Sequence, residues 1–273
     1  MERRNFLKLP LAISGAVLAT SAMGIQPASA ATVRALKGFG YGGTDAAALK
    51  RLKSLNLDWY YGWSAKYPTT PTNFIPMIRD SDFLDKRLLS IKAQLGETKA
   101  TNLLGFNEPD HAGQANLTVD EAVRLWPKLE ATGMRLGSPS TISPNAAWMD
   151  SFMTKAKNTG LRIDFLTMHC YQYPNAATFL RKLDTLHEKW GLPVWVTEYA
   201  VADWNASATQ KNIYSRTQVN EYMQATVEGM RQRPFVERFA WKTRAVGDYK
   251  MSSSVIFHTD GSLTSTGKLY ASL

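Results

Sequence analysis

Short apolar runs alternate along this chain with stretches whose apolar residues recur at helical spacing. Runs at 36–41, 57–63, 74–79, 102–107, 135–139, 163–171, 194–198 and 236–242 have strand length. Helical spacing covers 44–55, 82–95, a stretch from the residues after Thr118 to Gly133, and then 145–158, 175–190, 217–231 and 264–273. Glycines stand where helices should stop, at Gly96, Gly133, Gly160 and Gly191, and Pro234 punctuates the end of the long one. Thr118-Val119-Asp120-Glu121 reads as a capping box, in which hydroxyl and carboxylate satisfy the free N–H groups of a helix start. Pro127 lies inside the helix that follows, where its missing N–H predicts a kink or a separate first turn.

Strands alternating with helices imply a parallel sheet. Eight such units, with no linker or shift of composition, fit a single-domain (β/α)8 TIM barrel of the usual ~250 residues better than an open doubly wound sheet. A barrel of this kind carries its site at the C-terminal ends of its strands.

Residues 1–30 stand apart from this pattern. Arg3-Arg4-Asn5-Phe6-Leu7-Lys8 opens them, an apolar run interrupted by Ser14, Gly15, Thr20 and Ser21 follows, and Ala28-Ser29-Ala30 closes them. That run falls short of the ~20 apolar residues of a membrane span. The segment reads as a twin-arginine export signal cleaved after Ala30. It leaves residues 31–273 as the barrel, in the periplasm or outside the cell, with no membrane attachment after cleavage. One cysteine, Cys170, allows no internal disulfide, which suits folding in a reducing cytosol before export. The formal charge of the whole chain is +9, but its lysines and arginines are spread without a basic run. They read as a basic soluble surface, not as a nucleic-acid site.

The strand ends hold the candidate chemistry. The fourth strand ends in Asn107-Glu108-Pro109 and the seventh in Thr197-Glu198-Tyr199. Two carboxylates facing each other across a barrel mouth supply an acid/base and a nucleophile for breaking an acetal. Pro109 biases Glu108 toward an extended backbone. Strict alternation puts Val194, Val196 and Glu198 on one face, an apolar barrel interior topped by a carboxylate. It likewise puts Thr167, His169 and Tyr171 on one face, so that His169 and Tyr171 both reach the mouth and bind substrate. Trp63, Trp204 and Trp241 lie at or just past strand ends, where their rings can stack on sugars. Trp59, Trp126, Trp190 and Trp195 read as core.

Other signals are weaker. Gly38–Gly43 matches G-x-G-x-x-G, yet Asp58, the acidic residue twenty positions on, opens the second strand where a dinucleotide fold needs it to close that strand. His187-Glu188 lacks the second histidine of a zinc helix, and His111 and His258 have no ligand partner at useful spacing. Cys170 points away from the His169 face of its strand and reads as a small buried thiol. No metal or cofactor is expected.

Gly105-Phe106-Asn107-Glu108-Pro109-Asp110 and Val196-Thr197-Glu198-Tyr199 resemble the signatures of glycoside hydrolase family 128, within the clan A barrel glycosidases. Lys37–Tyr41, the aromatic run Trp59–Trp63 and Asp260–Thr264 are similar to the same family. The resemblance covers essentially all of residues 31–273. It implies a retaining enzyme that cuts β-1,3-glucan, usually inside the polysaccharide chain. In that case Glu108 is the acid/base, Glu198 the nucleophile, and Asn107 bonds the sugar 2-hydroxyl. Two departures concern the subsite walls: Cys170 stands where the family often has an aromatic residue, and Lys242-Thr243-Arg244 where aromatics usually follow Trp241. Two alternatives stay open, a non-catalytic β-glucan-binding protein on the same barrel and a glycosidase of another β-linkage. The partner in every case is a polysaccharide or oligosaccharide, and the protein is expected to act as a monomer.

Overall fold

The computed structural model describes residues 34–273; the expected export signal at 1–30 lies outside them. The order is β1 (Leu36–Gly40), α1 (Ala48–Ser54), β2 (Trp59–Tyr61), α2 (Leu84–Thr98), β3 (Asn102–Leu104), α3 (Val119–Glu130), β4 (Arg135–Gly137), α4 (Ala147–Asn158), β5 (Leu166–Gln172), α5 (Ala176–Trp190), β6 (Val194–Val201), α6 (Arg216–Arg231), β7 (Val236–Trp241) and α7 (Ser265–Ser272). Among the described residues no helix is long and apolar enough to cross a membrane.

Strands β2-β1-β7-β6-β5 form one parallel sheet and β3-β4 a second. Residues 74–78 join them on one side. Ile75 N–H donates to the Tyr60 carbonyl, Ile78 N–H to Leu104, and Leu104 N–H to Pro76. On the other side Gly137 bridges to Phe165. The sheet therefore closes as a (β/α)8 barrel whose third stave is made of isolated bridges. Pro76 lies in that stave and has no N–H to add to a ladder, so the strand predicted over 74–79 is present in place but not in regular form.

Local chemistry fixes the helix ends. The Thr118 hydroxyl accepts from Glu121 N–H at 3.2 Å, and Gly191 ends α5 in the left-handed region. Pro127 stands inside α3 without dividing it. That helix buries Ala122, Leu125, Trp126 and Leu129, and each large apolar side chain so buried contributes about 1.5–3 kcal/mol.

The barrel interior is an aromatic plug of Trp59, Tyr61, Phe165 and Trp195 with Met77, Leu104 and Ala240. Gly38 makes room for it, because a Cβ there would lie 2.1 Å from the Trp59 ring. Here strict alternation fails on β6. Trp195 fills the interior, whereas Val194 and Val196 belong to the core between barrel and helices. Met168 pairs with Val196 while the next residue, His169, pairs with Glu198, so Thr197 is an extra residue in the ladder. This β-bulge reverses the alternation. Trp195 and Glu198 both face inward although they are three residues apart.

Trp241 does not reach the groove. On β7 it is Ala240 that joins the interior, while Phe239 and Trp241 turn toward the helices. Trp241 is fully buried; its Nε1 donates to the Ser254 carbonyl at 3.0 Å and its ring meets Tyr199 edge-on.

Candidate active site

The bulge on β6 delivers Glu198 to the top of the aromatic plug, 4% exposed. Three neighbours donate to its carboxylate. Tyr61 Oη reaches Oε1 at 3.0 Å, Trp63 Nε1 reaches Oε1 at 2.7 Å, and Tyr171 Oη bonds Oε2. The Lys242 ammonium lies 3.4 Å from Oε2. Burial works to raise the pKa of Glu198. His169, Lys242 and the hydrogen bonds from Tyr171 and Trp63 outweigh it and hold the carboxyl at about 2. Glu198 is thus a desolvated but firmly ionised carboxylate. Burial, and then Glu198 itself, push the Tyr61 and Tyr171 hydroxyls well above the usual tyrosine value, so both stay protonated as donors.

Glu108 follows β3. Its N–H donates to the Ser140 carbonyl at 2.6 Å, and its φ of 46° lies in the left-handed region. The extended backbone expected from Pro109 is therefore not what orients it; the anchor to Ser140 holds a conformation that non-glycine residues rarely adopt. Its carboxylate is 13% exposed, and Oε1 meets His169 Nδ1 at 2.9 Å. His169 Nε2 lies 3.7 Å from Glu198 Oε1. One oxygen of each glutamate and one ring nitrogen of His169 all fall within 4.8 Å of one another. Beneath them Ser140 Oγ donates to Thr167 Oγ1, which donates to the Ser138 carbonyl, a buried hydroxyl layer between the site and the aromatic plug.

Above the glutamates opens a cleft of about 860 Å³ whose walls include Trp63, Asn107, Glu108, Tyr171, Glu198 and Trp204. A second hollow of about 700 Å³ shares Trp63, Lys242 and Arg244 with it. Asn107 is 2% exposed; its Nδ2 donates to Gln114 at 3.3 Å while its Oδ1 is buried without a partner. Trp204 is 57% exposed and meets Tyr171 edge-on.

Residues 38–270 match the glycosyl hydrolase catalytic core family. The chain belongs to that family. It is a glycoside hydrolase of the family 128 type. A subgroup I family 128 endo-β-1,3-glucanase from Amycolatopsis mediterranei, a variant solved with laminaripentaose, is 28% identical with a TM-score of 0.73. The similarity covers 86% of this chain and 98% of that one. A subgroup II endo-β-1,3-glucanase from Pseudomonas viridiflava is 29% identical with a TM-score of 0.68, covering 87% and 97%. Alkali-sensitive linkage protein 1 of Schizosaccharomyces pombe is 26% identical over 242 residues, which make up 84% of this chain but 43% of that protein.

In this family 128 chain the structure brings Asn107, Glu108, Tyr171, Glu198, Trp63 and Trp204 to one cleft. It sets two expected sugar contacts aside. Trp241 is in the core, as described above. His169 is fully buried, wedged between the glutamates below the cleft floor, because the side chain two residues further along β5, Tyr171, covers the top of the stave. Sequence pattern alone does not single out Tyr61, Lys242 or Gln114. The alternation Trp59-Tyr61-Trp63 carries a signal for Tyr61, and Ala240-Lys242 one for the lysine.

Among the described residues Glu108, His169 and Glu198 also form a cluster that could offer ligand atoms to a metal ion. The donor set suits one poorly. Glu198 is already engaged by three hydrogen-bond donors, and the ammonium of Lys242 repels a cation. Cys170 is buried, and burial pushes its thiol up.

Proposed function

We propose that this protein is an exported, monomeric, retaining endo-β-1,3-glucanase with Glu108 as acid/base and Glu198 as nucleophile. The observation that carries the reading is the spacing of the two glutamates, within 4.8 Å oxygen to oxygen, with one of them held ionised. Retaining glycosidases set their carboxyl groups ~5–5.5 Å apart, whereas inverting enzymes need ~6.5–9.5 Å to admit a water.

In this reading the sugar ring lies over Glu198. An oxygen of Glu198 attacks the anomeric carbon while Glu108 protonates the departing glycosidic oxygen. Glu108, now a carboxylate, then takes a proton from water, and that water displaces Glu198 and restores the original anomer. The unpartnered Asn107 Oδ1 suits a sugar hydroxyl donor, since a buried acceptor left empty is costly. Trp204 offers an exposed ring for a sugar's C–H face further along the cleft.

The β-1,3 linkage rests on the named activity of the Amycolatopsis and Pseudomonas neighbours and on the laminaripentaose bound to the former. A non-catalytic glucan-binding protein has no use for the ionised, counter-charged Glu198. Export rests on residues 1–30. Reducing-sugar release across β-1,3-, β-1,4- and β-1,6-glucans tests the reading. Release from β-1,3-glucan of oligosaccharides of several lengths is the expected result, and no release from any of them would refute it.

A further inference from the structure

Lys242 follows β7 directly, and its placement is built. The inward parity of Ala240 carries on to Lys242, so the side chain enters the site from the strand end and is 13% exposed. Its ammonium stands 3.6 Å from the centre of the Trp63 ring and 3.4 Å from Glu198 Oε2. Trp63 in turn donates its Nε1 to Glu198 Oε1 at 2.7 Å and keeps a left-handed backbone, φ 53°, to do so. Lysine, indole and carboxylate therefore form a closed triangle. Each side is a direct contact: ion pair, cation–π and hydrogen bond. Among the described residues Lys242 is the one lysine or arginine within ion-pair distance of either glutamate.

We infer that Lys242 is a positioning residue of this reaction, the counter-ion that orients Glu198 and keeps it anionic in a water-poor site. The inference rests on the reading of Glu198 as nucleophile. Burying a carboxylate is expensive unless it is paired and hydrogen-bonded. Tyr61 and Tyr171 supply hydrogen bonds but no charge, and the charge that lowers the Glu198 pKa comes from His169 and then Lys242. The charged and titratable groups facing Glu198 are Tyr61 from β2, His169 and Tyr171 from β5, Glu108 beyond β3 and Lys242 beyond β7. Burial lowers the pKa of Lys242 itself, Glu198 works against that by charge and hydrogen bond, Arg244 adds to the lowering, and Glu108 opposes it. Lys242 also covers one face of Trp63, which removes that face from sugar stacking and makes Trp63 a support for the nucleophile.

The geometry gives the lysine a second consequence. Cations stack best over indole, so Trp63 holds the ammonium in place where a free lysine chain would swing into the cleft. Removing the charge should leave the tyrosine and indole donors in place and let Glu198 protonate at a higher pH.

The test is kcat/KM against pH for the wild type and for K242M, K242Q and K242R, with E198Q as the control on the underlying reading. The K242M acid limb should lie at least about one pH unit above that of the wild type, the low end of what a neighbouring opposite charge does to a carboxylate. At the wild-type optimum kcat should fall about tenfold with KM little changed, equivalent to ~1.4 kcal/mol of barrier. K242R, which keeps the charge, should keep the wild-type acid limb. Superimposed profiles of K242M and wild type would overturn the inference, and so would a K242R limb displaced as far as that of K242M. If melting curves show that K242M does not fold, K242Q takes its place in the same comparison. An active E198Q refutes the nucleophile reading itself. An inactive E198Q with an unmoved K242M limb refutes only the role of Lys242.

Discussion

Glu108 and Glu198 present carboxylate oxygens no more than 4.8 Å apart, with the His169 ring reaching both. The two environments differ. Glu198 has three donors and an ammonium around it, whereas Glu108 has a single side-chain partner and a face open to the cleft. A pair of like groups in unlike surroundings is how an active site assigns two roles to one residue type.

Glu198→Gln should abolish turnover and leave oligosaccharide binding nearly intact, since the change is isosteric. Glu108→Gln should cost about 10²–10⁴-fold on natural glucan, but much less on a substrate with an activated aryl leaving group that needs no proton. Early product followed by NMR should keep the β-anomer. An inverted product, or wild-type turnover by either variant, contradicts the assignment.

His169→Phe keeps the ring's bulk and removes its contact with Glu108. Losing that bond should lower kcat about tenfold, the kinetic equivalent of ~1.4 kcal/mol. KM should stay near wild type because the ring is fully buried. A rise in KM with constant kcat would show that His169 contacts substrate after all.

Trp204→Ala and Trp241→Ala should separate binding from folding. The first removes an exposed ring and should weaken binding of a long oligosaccharide while stability changes by no more than about 0.5 kcal/mol. The second empties a fully buried site and should cost about 3–5 kcal/mol in urea unfolding. Equal effects of the two on both measurements would contradict this division.

Stability should depend on Glu198 in acid. Its pKa is lowered from the ordinary 4.5 to about 2, so its ionised form contributes stability that is fully present above 4.5 and is lost as the pH falls through about 2. Glu198→Gln removes that dependence. The stability difference between the two proteins in urea should be constant from neutral pH down to 4.5 and should shift in favour of the variant below it. A difference that stays flat down to pH 2 would show that Glu198 is not held ionised.

Replacing both Arg3 and Arg4 with Lys should leave the precursor in the cytoplasm, and the exported wild type should begin at Ala31. Fractionation and N-terminal mass measurement check both. Normal export of the variant contradicts the twin-arginine assignment.

Much of this protein follows from local pattern. Alternating strand and helix periods imply the barrel, and Gly133, Gly160, Gly191 and Thr118 mark helix ends where the chain does turn, whereas α2 runs through Gly96 to Thr98 and is capped by Lys99 in the left-handed region. Asn107-Glu108 lies just past β3 and Thr197-Glu198 in the C-terminal half of β6, which runs on to Val201 where the pattern ends it at Glu198; in a closed barrel both placements bring a carboxylate to the one mouth. Side-chain direction is different, because it depends on register against neighbouring strands. Thr197 looks like any strand residue, yet as an unpaired extra residue it turns Trp195 inward, sends Val194 and Val196 to the helices, and still delivers Glu198 to the cleft. A one-residue shift exchanges the two faces of a strand, and nothing in the composition of β6 announces it. The same parity decides between adjacent residues on β7, placing Trp241 in the core and Lys242 against Glu198. Tyr61, Tyr171 and Lys242 come from three staves far apart in the chain. Only closure of the sheet sets their polar atoms around one carboxylate, because hydrogen bonds and ion pairs act over a few ångströms of space whatever the distance along the chain.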